Sequence, residues 1–167
     1  MARAKRELPA PGLYESDFYS WALEQAKLLR ERRFGELDLE NVAEEVEDLG
    51  RRQADELGSR YETLLMHLLK WEFQPERRSH SWEATIGRER DKITDHLVEN
   101  PGLKPRRQEL FAKAYKGGRS GAAVETNLPL DRFPATNPYA LDEVIDPEFW
   151  PGGRDMPSPE GRRRTSR

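Results

Sequence analysis

A run of acidic residues is the first feature of this sequence that could do chemistry. Seven carboxylates and no lysine or arginine lie between Glu36 and Leu49. Glu40, Glu44 and Glu47 follow one another at four- and three-residue steps, which places them on one face of a helix, where like charges repel. A divalent metal held by Glu44, Glu47 and a histidine would neutralise them. We favour the other interpretation, in which the helix dipole and arginines of neighbouring helices neutralise them.

The histidine of that metal hypothesis is His67, which shares a helical face with Leu64 and Trp71. This placement predicts a partly buried core residue with one satisfied hydrogen bond. The alternative role is a general base or metal ligand, and the acids that would complete a catalytic site are Glu44 and Glu125. A helical-bundle hydrolase, or a ligand-binding protein with a metal or phosphate site, would use these residues.

A second group surrounds the turn after the helix that carries His67. Lys70, Trp71, Trp82 and Arg90 are candidates for ligand binding, because an indole beside a cation can stack on a base or help to bind a phosphate or carboxylate. We favour hinge packing, in which aliphatic arginine stems lie over the indoles. No serine lies in a nucleophile-elbow context, and the chain has no cysteine. The sequence therefore presents no complete catalytic set.

The predicted fourth helix is basic, with Glu109 as its single acid. A nucleic-acid-linked regulator is therefore a second alternative. The net charge of −3 and the lack of a recognition-helix motif argue against nucleic acid as a partner. The simpler interpretation is that these cations complement the acidic helix, within one subunit or across a dimer. They are Lys104, Arg106, Arg107, Lys113, Lys116 and Arg119.

The core helix positions most of these groups. Asp38 is its predicted N-cap, and an unbroken helix would reach Gln74. Gly50 and Gly58 each cost roughly 1 kcal/mol inside a helix, so we expect a kink or break between them. The alternative is a long antiparallel arm that a second subunit covers. Apolar residues recur at three- and four-residue steps in its second half, as in a buried stripe. The stripe consists of Tyr61, Leu64, Leu65, Leu68 and Leu69.

Three further helices are expected around it. The first runs from Ser16 or Asp17 to about Phe34. The third opens at Ser79 or Ser81 and ends before Asn100-Pro101. The fourth starts near Pro105, and we expect Gly117-Gly118 to interrupt it, with a shorter helical piece after the interruption.

The composition of the chain changes after Asn127, where prolines become frequent. X-Pro pairs at 128–129, 133–134 and 137–138 predict an extended, proline-rich wrap with one helical turn at 139–145. Together these elements predict an all-α fold, a single domain over residues 13–150 built as a bundle of four or five helices with a C-terminal wrap. Residues 1–12 are predicted to be a disordered lead, and residues 151–167 a disordered basic tail.

Composition limits the location of the chain. The 167 residues include no apolar run of membrane-spanning length, and the N-terminus lacks the apolar region of a secretory signal. We therefore expect a cytoplasmic protein without a membrane partner. We expect no cofactor either, apart from the divalent metal of the alternative above.

A combination of short motifs extends over about residues 14–150. Its members are Tyr14-x-x-Asp17, Trp21, Leu28-Leu29-Arg30, Leu37-Asp38, Glu44-Glu45, His67-Leu68-Leu69-Lys70-Trp71, Gln74-Pro75, Ser81-Trp82, Ile86, Arg90, Tyr115, Glu125-Thr126, Leu128-Pro129 and Phe133-Pro134. With these residues the sequence resembles an uncharacterised bacterial family, domain of unknown function twenty-nine. The resemblance implies an all-helical domain and no assigned activity. One departure is Asn137-Pro138, where we would expect Cys-Pro, so a thiol there has no general role.

The function that these observations favour is a soluble protein-interaction or regulatory module. One amphipathic core, strongly segregated surface charge and the lack of a complete catalytic set all point to it. We expect the partner to be a second copy of the chain, in a homo-oligomer, or another protein.

Overall fold

The structure, a computed structural model, describes residues 12–157. Within this range the chain forms six α-helices and no β-strand, so the predicted all-α class is confirmed. The chain divides into two compact units, the first ending at Arg51 and the second beginning at Arg52. The disorder predicted for residues 1–11 and 158–167 lies outside the described residues.

The first unit contains α1 (Leu13–Ser16), α2 (Phe18–Arg30), a 3₁₀ turn (Phe34–Glu36) and the start of α3. The side chain of Asp17 caps α2 by accepting a hydrogen bond from the backbone N–H of Ser20 at 3.1 Å. The helix ends earlier than predicted, because Arg32 adopts a left-handed conformation with φ of 57°. The backbone N–H of Arg33 then donates to the carbonyl of Leu28 at 3.0 Å, which closes the helix end.

The long helix α3 (Leu39–Phe73) begins in the first unit and ends in the second. Asp38 caps it as predicted, since its Oδ1 accepts from the backbone N–H of Asn41 at 3.4 Å. The predicted break is wrong, because the helix continues through both Gly50 and Gly58. The predicted apolar stripe from Tyr61 to Leu69 is confirmed as the core of the second unit, and its side chains are fully buried.

Two more long helices complete this core. Helix α4 (His80–Glu99) is capped by Ser79, whose Oγ accepts from the backbone N–H of Trp82 at 3.3 Å. Helix α5 (Arg107–Thr126) follows a 3₁₀ stretch, Pro101–Arg106.

The interruption predicted in α5 at Gly117-Gly118 is wrong. A Cβ atom on Gly118 would lie 3.0 Å from the carbonyl oxygen of Glu62 and 3.0 Å from the Cβ of Leu65. The two helices therefore approach each other closely at this glycine, and packing overrides its low helix propensity.

The last part of the second unit, residues 128–157, is called the C-terminal segment below. It contains a 3₁₀ turn (Leu130–Arg132) and α6 (Leu141–Ile145), which is the helical turn predicted there. Four of its side chains are buried in the core: Phe133, Tyr139, Leu141 and Val144. The tail that was predicted to be disordered from residue 151 begins inside this segment. The backbone carbonyls of residues 152, 153 and 155 accept hydrogen bonds from the buried side chains of Trp71 and Arg78.

Candidate functional site

The structure brings four of the predicted site residues together in the second unit. The Lys70 ammonium, only 4% exposed, donates a hydrogen bond to the Glu125 carboxylate and lies 4.5 Å from the centre of the Trp82 ring. His67 lies one helical turn before Lys70, close enough for the ammonium to affect its pKa. The group therefore holds a buried, neutralised cation beside an imidazole. Lys70 and Glu125 are 55 positions apart in the chain, so their pairing depends on the fold.

His67 is half-buried, and its Nδ1 lies 3.0 Å from the backbone carbonyl of Thr63. A ring nitrogen that faces a carbonyl carries the proton, which leaves Nε2 as the acceptor of a neutral imidazole. Burial lowers the pKa of His67, and the Lys70 ammonium lowers it further. His67 is thus a neutral, half-buried residue with one satisfied hydrogen bond, which agrees with its interpretation as a core residue.

The lowered pKa of His67 predicts a loss of stability in acid. Between the ordinary histidine pKa of about 6.5 and the lower pKa in the folded chain, the unfolded state binds more protons than the folded state. The free energy of unfolding should therefore fall as the pH drops from about 7.5 through this range, with a slope of at most about 1.4 kcal/mol per pH unit. Denaturant melts at successive pH values would measure it, and His67→Gln should flatten the curve.

An NMR titration of the imidazole signals provides the direct check on that prediction. The variant His80→Gln controls for the loss of an imidazole, because His80 is exposed. A titration of His67 at or above the ordinary histidine pKa would contradict the assignment of a buried, neutral ring.

Three residues of the acidic run, Glu36, Glu47 and Asp48, pair with arginines of the first unit. Arg33 binds Glu36 through Nε and Oε1 at 2.7 Å, and this hydrogen bond lowers the pKa of Glu36. Arg51 forms ion pairs with Glu47, at 3.4 Å, and with Asp48. Arginines thus neutralise part of the acidic run, but Arg51 lies on α3 itself and Arg33 directly precedes the 3₁₀ turn, so these contacts do not come from neighbouring helices as predicted.

The metal candidates Glu44 and Glu47 lie in the first unit, whereas His67 lies in the second. Glu44 is exposed and Glu47 is paired with Arg51. Within residues 12–157 no group of three or more histidine, aspartate or glutamate side chains is arranged to hold a metal ion.

Arg90 is held by the backbone of the C-terminal segment. Its guanidinium is buried and donates hydrogen bonds to the carbonyls of Val144 at 2.7 Å, Pro147 at 3.3 Å and Phe149 at 2.6 Å. It also lies 5.2 Å from the centre of the Trp150 ring. Burial lowers the pKa of Arg90. Its donors are thus directed at the protein's own carbonyls.

Two other arginines bind the same segment in the same way. Arg78 donates to the carbonyls of Trp71, Gly152 and Asp155 at 2.9 to 3.0 Å. Arg119 donates to the carbonyls of residues 130 and 133 at 2.9 to 3.2 Å. Trp71, another ligand-binding candidate, donates its indole N–H to the carbonyl of residue 153 at 2.9 Å. The sequence does not reveal such partners of lysine and arginine, because every residue has a backbone carbonyl that could accept a hydrogen bond.

Most cations of the fourth helix region also have partners. Arg106 and Lys113 pair with Glu109, and Arg107 lies 3.3 Å from Asp142. With Arg119 bound to carbonyls, four of the six cations proposed for nucleic acid are engaged inside the second unit.

The first unit has a cavity of about 550 Å³ that the sequence did not predict. Tyr14 and Trp21 line it, with ring centroids 4.8 Å apart. The Trp21 indole N–H donates to Asp38 at 3.2 Å, and Tyr14 donates to Glu45 at 2.8 Å, which raises the pKa of Tyr14 to about 12. Two of the lining residues, Tyr14 and Trp21, are among those that carry the family resemblance, and no role was predicted for them from the sequence.

Apolar side chains are unusually exposed in the first unit. Nine large ones are exposed there, compared with three in the described part of the second unit. On α3 the residues Leu39, Val42, Val46 and Leu49 follow at three- and four-residue steps, and we call them the α3 stripe. Leu39, Val46 and Leu49 are 57 to 63% exposed. The six other exposed apolar residues of the first unit are Leu13, Phe18, Tyr19, Leu23, Leu29 and Phe34.

None of the helices in residues 12–157 has the length and apolar character needed to cross a membrane. No curated protein and no solved structure matches the chain. The family described as domain of unknown function DUF29 matches residues 13–150, most of the sequence and nearly all of the described residues. The Tyr14, His67–Trp71, Arg90 and Glu125 positions described above all lie within that match. The chain therefore belongs to the DUF29 family, whose function is unknown.

Proposed function

We propose that this protein is a cytoplasmic bacterial interaction module that forms a homo-oligomer through the α3 stripe. The observation that carries the proposal is the exposure of the stripe in the first unit. Contiguous exposed apolar surface on a soluble protein marks an interaction site. The three- and four-residue spacing is that of helices that pair side by side.

Charge favours a second copy of the chain as the partner. The stripe lies among the acids Glu40, Glu44 and Glu47, and Arg51 and Arg52 follow it in the sequence. A helix whose charge changes sign along its length complements itself when two copies run antiparallel. In that arrangement the arginines of one copy face the acids of the other, whereas a parallel arrangement would place like charges together.

We also propose that the C-terminal segment acts as a proline-rich strap over a helical bundle formed by α3, α4 and α5. The support is its anchoring by Arg78, Arg90 and Arg119, together with the burial of Phe133 and Val144. The strap would keep the second unit compact while the first unit engages the partner.

Sedimentation analysis tests the oligomer. We expect the wild-type protein to dimerise, and Val46→Ser/Leu49→Ser to weaken dimerisation by roughly thirtyfold to a hundredfold. The estimate assumes about 0.5–0.7 kcal/mol for each of the four side chains lost per dimer, a fraction of the value for full burial. Both sites are exposed in the single chain, so the fold should be retained, as circular dichroism would verify.

The control is Val98→Ser/Val124→Ser, which truncates two exposed apolar residues of the second unit. It should leave dimerisation unchanged. A wild-type protein that remains monomeric up to millimolar concentration would exclude self-association, and equal weakening by both double variants would exclude the α3 stripe as its surface.

A further inference from the structure

The cavity of the first unit combines an aromatic floor with an acidic rim. Trp21, 5% exposed, and Tyr14 form the floor. Glu15, Glu24, Glu36 and Asp38 contribute four carboxylates, and no lysine or arginine is among the described residues that line the cavity. An apolar floor beneath carboxylates suits a ligand with an aliphatic stem and a cationic head, which is the build of an arginine or lysine side chain.

Two of these carboxylates are already occupied. Glu36 binds Arg33, and Asp38 accepts hydrogen bonds from the Trp21 indole at 3.2 Å and from the Asn41 amide at 2.7 Å. Glu15 and Glu24 form no hydrogen bond or ion pair with any residue in the range 12–157. They are therefore the groups free to bind an incoming guanidinium, which forms strong paired hydrogen bonds with carboxylates.

We propose that this cavity binds the arginine run Arg162–Arg164 of a second copy of the chain. Residues 158–167 carry four arginines and one glutamate, which gives them the charge that the cavity lacks. The inference rests on the proposed self-association, because a second copy supplies the segment. It adds a second contact, made by charge and aromatic stacking, to the apolar contact of the α3 stripe.

A fluorescently labelled peptide of residues 158–167 tests the site by anisotropy. The receptor is the full-length chain with Arg162→Gln, Arg163→Gln and Arg164→Gln, so that its own segment does not compete. We expect saturable binding that weakens with added salt. Glu15→Gln/Glu24→Gln in the receptor should weaken binding at least tenfold, and a peptide with the three arginines replaced by glutamine should not bind.

The matched control is Asp91→Asn/Asp95→Asn, which removes the same charge from two exposed positions of the second unit. It should change the affinity by no more than about twofold, because neither residue lines the cavity. Equal weakening by both double variants would show general attraction to an acidic surface and overturn the proposal. So would the absence of saturable binding.

An NMR readout locates the peptide independently. The Trp21 indole signal should shift on peptide addition, because its N–H faces Asp38 at the cavity floor, while the indole signals of Trp71, Trp82 and Trp150 should not move. If the peptide fails to bind but the wild-type chain still dimerises through the α3 stripe, this inference fails and the proposed function stands. If the peptide binds and the wild-type chain stays monomeric, the proposed function fails.

Discussion

Replacement of Arg90 by alanine should lower the free energy of unfolding by about 3–4 kcal/mol, the largest stability effect that we expect from one side chain. The change removes three hydrogen bonds and leaves the carbonyl of the buried residue Val144 without its donor. It also removes the guanidinium that lies over Trp150. Denaturant melts followed by tryptophan fluorescence would measure the loss, because three of the four tryptophans lie in the second unit.

Arg90→Lys separates charge from geometry in the same experiment. Lysine keeps the positive charge but lacks the planar fork that reaches three carbonyls, so we expect most of the loss to remain. Arg88→Ala is the control on the same helix, since Arg88 is exposed and its ion pair with Glu89 is long, at 3.5 Å. It should cost no more than about 0.5 kcal/mol. A lysine variant as stable as the wild type would contradict the proposed role of the carbonyl contacts.

Replacement of Gly118 by valine should cost about 3 kcal/mol, and replacement by alanine about 1–2 kcal/mol, because both overpack the contact between α3 and α5. The atoms in the way of a new Cβ are the Glu62 carbonyl oxygen, the Leu65 Cβ and the backbone nitrogen of Met66, 3.0 to 3.2 Å away. Two of these three belong to the backbone of a packed helix, so neither can move aside alone. The loss should appear even though alanine is the better helix former.

Two other glycines provide matched controls for that experiment. Gly87 in α4 has nothing within 4 Å of its ideal Cβ, so Gly87→Ala should raise the free energy of unfolding by up to about 1 kcal/mol. At Gly117 only the carboxylate of Glu62 is in the way. That flexible side chain can move, so Gly117→Ala should be nearly neutral. The same sign of effect at Gly118 and Gly87 would show that helix propensity, not close packing, determines the cost.

The parts of the fold that the sequence predicted depend on local chemistry. The Tyr61–Leu69 stripe, the Asp38 cap and the helical turn before Ile145 each follow from residues within a few positions of one another. The two wrongly predicted helix interruptions concern glycine. Gly50 and Gly58 have no atoms near their ideal Cβ positions and are tolerated in α3, and Gly118 is required by a helix that lies elsewhere in the sequence. Propensity describes an isolated helix and carries no information about its neighbours.

The candidate site was harder to predict, because its contacts join distant residues. Lys70 and Glu125 were singled out separately, and only the packing of α5 against α3 pairs them. Arg90 was predicted to lie near a ligand or an indole, and it lies over the Trp150 ring. Its hydrogen bonds, however, go to backbone carbonyls, which every residue has. The α3 stripe shows that residue spacing does not reveal a partner. The spacing of Leu39, Val46 and Leu49 indicates an apolar face, but not whether anything covers it.

The arginine contacts to the C-terminal segment have a consequence for how this family can vary. Gly152 adopts a φ of 68° and Phe149 packs on the Tyr139 ring, so conformation and packing constrain these two positions. A carbonyl is the same whichever residue bears it, so the hydrogen bonds from Arg78 and Arg90 place no demand on the exposed side chains at positions 147 and 155. Substitutions there can accumulate without loss of anchoring, as long as the backbone keeps its path. The two arginines have no such freedom. We therefore expect mutational scanning to find both arginines intolerant and positions 147 and 155 permissive, because selection at these two contacts acts on the donors.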